Sequence, residues 1–267
     1  MPRDPGAASH LRGFMVRWNR ETPENRLNGK RPKEDAMTLT ACLFALFCSL
    51  LLPAGAGTYL ALRTKKAAPV LLGAACFTVF QLLTRLPLLQ LVLPRWAGYV
   101  LFQSEHPVWY LLLLSLSAGV FEECGRYLVM RRFLRTGGPV DAVSFGVGHG
   151  GLEAAALVGV SLAYLLFSGG YLAQPAGSLF LAGAERLFAM TAHVGFSVLV
   201  WCGVRGKRPL LLPAAVALHG ALDFLAVLLA RSAGAWLTEL AAAVFALAVL
   251  AGSLILQKNM TNRGEIA

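Results

Sequence analysis

Seven apolar runs constrain this chain more than any other feature. They cover residues 38 to 62, 68 to 93, 107 to 130, 139 to 167, 177 to 203, 209 to 230 and 234 to 256, and each reaches the roughly 20 residues that a helix needs to cross a bilayer core. Water is absent there, so a run of this length must satisfy its own backbone N–H and C=O groups as helix. The predicted fold is all-α: a polytopic membrane bundle of about seven transmembrane helices, with lipid as its first partner. Composition agrees, because only 14% of residues are charged, against about 25% in soluble domains.

The loops give an orientation. Arg63, Lys65 and Lys66, then Arg131, Arg132 and Arg135, then Arg205, Lys207 and Arg208 follow spans one, three and five, and Lys258 and Arg263 follow span seven. The loops after spans two, four and six hold only Arg95 and Arg231. Short cytoplasmic loops retain basic residues, so the expectation is a multi-pass protein of the plasma membrane with its C-terminus in the cytoplasm and span one starting outside.

Residues 1 to 36 break this pattern. They carry eight basic and five acidic residues and have no apolar core of a signal peptide, yet an odd number of spans would place them outside. Translation starting at Met37 would remove the conflict; a disordered tail that is made and exported is the alternative. The expected organisation is a tail at 1 to 36, a membrane domain at 37 to 258 and a cytoplasmic tail at 259 to 267.

The net charge of +10 is accounted for by loop bias and this tail, which argues for topology and against a nucleic-acid partner. Cys42, Cys48, Cys76, Cys124 and Cys202 all fall inside spans and read as small apolar fillers rather than a disulfide framework.

Ionisable residues inside the spans are the functional candidates, since such groups face the bundle interior and mark sites. Among them are Arg85, Glu122, Glu123, Arg126, His149, Glu153, Glu185, Arg186, His193, His219 and Asp223. Counted from the basic loops at ~1.5 Å per residue, Glu122, His149, His193 and His219 share a level ~14 to 18 Å deep. Glu122 with Arg126, His149 with Glu153, and His219 with Asp223 are i, i+4 pairs on one helix face. Four helices thus deliver polar stripes to one layer.

Three histidines and a carboxylate from separate helices could hold zinc, and a buried glutamate beside water could act as general base. Glu122 and Glu123 point about 100° apart, so one would face the chamber centre while the other pairs with Arg126 or a histidine. Glu153 and Asp223, one turn outward, are expected to orient the histidines. Arg85 reads as a snorkelling or kink-associated residue, and Glu185 with Arg186 as a structural pair. His10 and His106 lie outside the spans.

These residues resemble a known superfamily. Glu122-Glu123-Cys-Gly-Arg126, Phe145-Gly-Val-Gly-His149 and His219-Gly-Ala-Leu-Asp223 look like the Glu-Glu/Arg, Phe-x-x-x-His and His-x-x-x-Asn/Asp motifs of the CAAX-protease and bacteriocin-processing intramembrane endopeptidases. Within it, GVGHGGLEA at 147 to 155 followed by Glu185, Arg186 and His193 is similar to the YhfC group of intramembrane metalloproteases. The resemblance covers roughly residues 40 to 256. It implies an intramembrane endopeptidase with a cavity open to the cytoplasmic leaflet and a membrane-associated peptide or protein as substrate. Glu122 or Glu123 would activate water, while His149 and His219 would bind metal or stabilise the oxyanion. Arg126, Glu153, His193 and Asp223 would support them. A divalent metal, zinc by its donors, would sit on His149, His193 and His219. The superfamily's usual spacing is Glu-Glu-x-x-x-Arg; this chain has one residue fewer, which turns Arg126 by about 100° relative to the glutamates.

Two other classes fit an intramembrane polar layer. A non-catalytic scaffold of the same superfamily, as in the gamma-secretase complex, keeps the histidines but lacks the double glutamate. A proton-coupled transporter uses buried Glu and His but usually shows an internal repeat, which is absent here.

Overall fold

The computed structural model describes residues 32–266. It is all-α, with no strand among the described residues and seven helices of membrane-spanning length: Pro32–Thr64, Ala68–Arg95, Pro107–Phe133, Pro139–Phe167, Ala176–Arg205, Leu211–Ser232 and Ala235–Asn262. They are called spans one to seven. The order and number of predicted spans hold throughout.

The ends differ where polar residues continue a helix. Span one begins at Pro32, with Glu34 and Asp35 in its first turn, where carboxylates complement the helix dipole. Residues 32 to 36, assigned to the tail on composition, are therefore helical; residues 1 to 31 of that tail lie outside the described residues. Span seven runs on to Asn262, and the chain then folds back: Glu265 pairs with Arg208 at 2.7 Å and Ile266 is buried in the core. The short helix Ala97–Glu105 joins spans two and three, and Pro107 and Pro139 occupy the first turns of spans three and four, where proline's missing N–H has no helical partner to lose.

Span five is the central element: 61% of its apolar window is buried, against 17% for spans six and seven. It packs on spans one, three, four, six and seven. Span four packs in turn on spans one and two, and span three on span six.

Glycines bring these backbones together. A Cβ on Gly148 would collide with the carbonyl of Val70 in span two, and one on Gly119 with the carbonyl of Val216 in span six. Small residues at such crossings permit the backbone contact that holds membrane helices together. Gly148 also precedes His149, so the crossing fixes where that imidazole sits. Gly148→Ala should lower stability by about 1 to 3 kcal/mol, the usual effect of overpacking. Thermal unfolding in detergent would register it. Gly252→Ala, where a Cβ meets nothing within 4 Å, should leave the midpoint unchanged or raise it.

Several helices contain π-helical turns: Phe47–Leu51, Thr78–Arg85, Leu88–Val92 and Ala155–Gly159. Two of them flank Pro87, which cannot supply the regular i→i−4 bond. The wide turn changes helical phase before Arg85. That side chain is buried, and instead of reaching for the membrane surface it donates to Ser117 Oγ (3.0 Å), the Leu114 carbonyl (2.8 Å) and Gln81 Oε1 (3.3 Å). Arg85 joins spans two and three.

Candidate metal and catalytic centre

Span three supplies two adjacent carboxylates that point into different neighbours. Glu122 Oε2 lies 3.1 Å from His149 Nε2 of span four, 4.0 Å from His193 Nδ1 of span five and 3.9 Å from His219 Nε2 of span six. One carboxylate oxygen thus faces a ring nitrogen from each of three helices. Glu123 turns away from that centre, accepting from His219 Nδ1 at 2.7 Å through Oε1 and lying 3.4 Å from Arg126 Nε through Oε2. All six of these side chains are buried. A step of one residue along the helix puts the two carboxylates in different environments.

The shorter Glu-Glu-x-x-Arg spacing finds its explanation in span five. Arg126 Nη1 donates to the His193 carbonyl (2.8 Å) and Ser197 Oγ (2.9 Å), and Nη2 lies 3.2 Å from His193 Nδ1. An arginine has only donors, so Nδ1 of His193 accepts. Ser197 was not foreseen from the sequence. Its only signal is the i, i+4 offset from His193, whose carbonyl its hydroxyl also bonds at 2.8 Å.

Glu153 orients a histidine, though on another helix from the one expected. Its Oε2 lies 2.5 Å from His193 Nε2, and its Oε1 accepts from Arg186 Nη1 at 3.1 Å. Arg186 also donates to Glu185 Oε1 at 2.5 Å, so the pair read as purely structural joins the chain of contacts that ends at the site. Asp223 Oδ2 is 4.0 Å from His219 Nε2. Aromatic rings set the imidazole planes: Phe196 stacks on His219 with centroids 5.1 Å apart, and Phe77 meets His149 edge-on at 5.4 Å. His106 stands at the start of span three, away from this layer, and His10 lies outside the described residues.

Glu122, His149 and His193 form a group whose ligand atoms all lie within 4.8 Å of one another. That group differs from the trio of His149, His193 and His219 expected by type: Glu122 stands where His219 was expected, and His219 flanks it. Two imidazoles and a carboxylate are a donor set for catalytic zinc, which keeps an open fourth position. Tetrahedral bonds of ~2.1 Å would place ligand atoms about 3.4 Å apart, a value bracketed by the 3.1 and 4.0 Å separations from Glu122. The residues fit such an ion.

The layer is closed on one side. Between it and the basic loops lie Met130, Ala142, Phe145, Val198, Trp201 and Cys202, each 0% exposed, with Trp201 Nε1 donating to the Gly137 carbonyl at 3.1 Å. Apolar side chains fill the space between the helices at that end.

Comparisons with known proteins agree with these motifs. The model of the family described as YhfC intramembrane metalloprotease matches residues 48–174 and 170–245. The uncharacterized membrane protein YhfC of Bacillus subtilis (strain 168) is 35% identical over 177 residues, 56% of this chain and 67% of that protein. No solved structure matches.

Proposed function

The chain belongs to the YhfC intramembrane metalloprotease family, and from that premise and the geometry of its buried centre we propose that it is an intramembrane endopeptidase that hydrolyses a peptide bond with activated water. The observation that carries this reading is the convergence of three histidine nitrogens, from three helices, within 4.0 Å of one Glu122 oxygen.

Glu122, His149 and His193 would hold the divalent ion. When bound, it would act as a Lewis acid on the scissile carbonyl and lower the pKa of water. Glu153 fixes His193 by accepting from its Nε2, so that the Nδ1 lone pair, which accepts from Arg126 Nη2 at 3.2 Å, would turn to the ion in place of that donor. Glu123 does the same for His219: its carboxylate fixes the Nδ1–H tautomer and leaves Nε2 free, 3.9 Å from Glu122 and facing the centre. His219 is then the group that takes a proton from water and returns it to the leaving amine, held as the histidine of a catalytic triad is held. The surrounding apolar side chains strengthen every charge interaction at the centre by excluding bulk water.

A second reading has its own support in Arg126. Its guanidinium already lies 3.2 Å from His193 Nδ1, and a cation at that nitrogen disfavours another. A metal-free glutamic peptidase would use Glu122 as base, with His149 and His219 donating to the oxyanion. Metal content separates the two. The purified protein should carry about one equivalent of zinc, lost in His149→Ala, and cleavage of a membrane-anchored peptide library should stop with a chelator and return with added zinc. A metal-free protein whose cleavage ignores chelators would establish the glutamic reading instead.

A further inference from the structure

The two ends of the bundle differ in burial in a way the catalytic reading does not require. In span five every residue from Gly195 to Gly203 is buried, whereas between Ala176 and Thr191 only Leu179, Gly183 and Arg186 are. Span four is buried almost continuously from Asp141 to Gly151, and its only buried residues after Ala154 are Gly159 and Leu162. In span six no residue beyond Gly220 is buried. The helices pack most tightly at the basic-loop end; beyond the site spans one, four and five still close on Ala45, Leu162 and Leu179, while span six has no buried residue there.

Charged groups occupy the side beyond the site. The side chains of Glu153, Glu185 and Asp223 are 14%, 32% and 40% exposed. Each is tied to an interior partner: Glu153 to His193 and Arg186, Glu185 to Arg186, and Asp223 facing His219 at 4.0 Å. Their exposed area therefore belongs to a recess inside the bundle. The other approach is blocked by Phe145, Trp201 and their neighbours, all without exposed surface.

We propose that the site is reached from the end of the bundle opposite the basic loops, along the recess lined by Glu153, Asp223 and Glu185. Water enters and protons leave there. Combined with the peptidase reading, on which this second step rests, the route assigns a substrate class: peptide segments presented from the outer face of the membrane, rather than cytoplasmic chain ends. The acidic lining favours segments with a basic residue beside the scissile bond.

Sided thiol labelling of the full-length protein in sealed vesicles tests the route. Thr136→Cys, in the exposed loop after span three, and Ser168→Cys, in the exposed loop after span four, mark the two faces. Glu185→Cys and Asp223→Cys report on the recess, and Ser144→Cys on the closed side, where the parent serine is 1% exposed. A membrane-impermeant maleimide should label the two recess cysteines from the Ser168→Cys face about tenfold or more faster than from the other, as expected of an accessible thiol, and leave Ser144→Cys unlabelled. The unsubstituted chain is the background, since four of its five cysteines are buried. Labelling of the recess from the Thr136→Cys face, or from neither face, would overturn the proposal. Labelling needs no catalysis, so an inactive protein that labels as expected would sink the peptidase reading and leave the route standing.

Discussion

Glu122→Gln is expected to produce a folded, inserted protein that cleaves ~10² to 10⁴ more slowly or worse, because the carboxylate that would hold the metal is gone; in the metal-free reading the same range is the usual size of a general base's contribution. The substitution keeps side-chain volume and removes the one oxygen that three imidazoles face. It should not unfold the bundle, because His149, His193 and His219 each keep a ring contact and Glu122 pairs with no guanidinium. Glu123→Gln should behave differently. Its carboxylate sits between His219 and Arg126, so the change should lower both the rate, through His219, and the unfolding midpoint, through Arg126. Measuring rate and midpoint on the two variants together distinguishes the reacting carboxylate from the orienting one. If both cleave at the parental rate, the chain is no glutamate-dependent peptidase and a scaffold role takes its place.

Arg126→Met should be the most destabilising single change, by about 3 to 5 kcal/mol, because removing one partner of a buried ion pair strands the other. Glu123 would lose its guanidinium contact, and the His193 carbonyl and Ser197 hydroxyl would lose a donor. Arg126→Lys should recover only part of this, since one ammonium cannot span the four acceptors that the guanidinium reaches. The double variant Arg126→Met with Glu123→Gln should be less destabilised than the sum of the singles, since it leaves no uncompensated charge. Thermal unfolding of the detergent-solubilised variants measures all three, and strict additivity would show that Arg126 and Glu123 do not support each other.

Much of this molecule is legible from its sequence because a bilayer simplifies the problem. A run of about 20 apolar residues has one way to satisfy its backbone, so seven runs become seven helices. Loop arginines and lysines add an expected orientation. Inside the spans, unfavourable charges stand out against apolar neighbours, so Glu122, Glu123, His149, His193 and His219 were all visible as candidates. Phase along one helix was readable too: the 100° between Glu122 and Glu123 required two roles for two carboxylates.

What tertiary structure decided was partnership across helices. Glu153 shares a stripe with His149 yet orients His193, because span five crosses span four through Gly146 and Gly150 and brings His193 nearer. Arg85 turns inward because π-helical turns around Pro87 shift a phase that a regular 3.6-residue repeat would have kept. Glu122 stands at the centre of the metal-compatible group and His219 at its edge because three helix crossings, not residue types, set those distances. The direction of access depends on how tightly helices pack at each end, which a one-dimensional apolar pattern does not encode. The bilayer's demand for satisfied backbone fixes elements locally, so sequence alone determined them; the site is a sum of side-chain contacts between segments up to about a hundred residues apart, such as Glu123 and His219, and only their packing determined it.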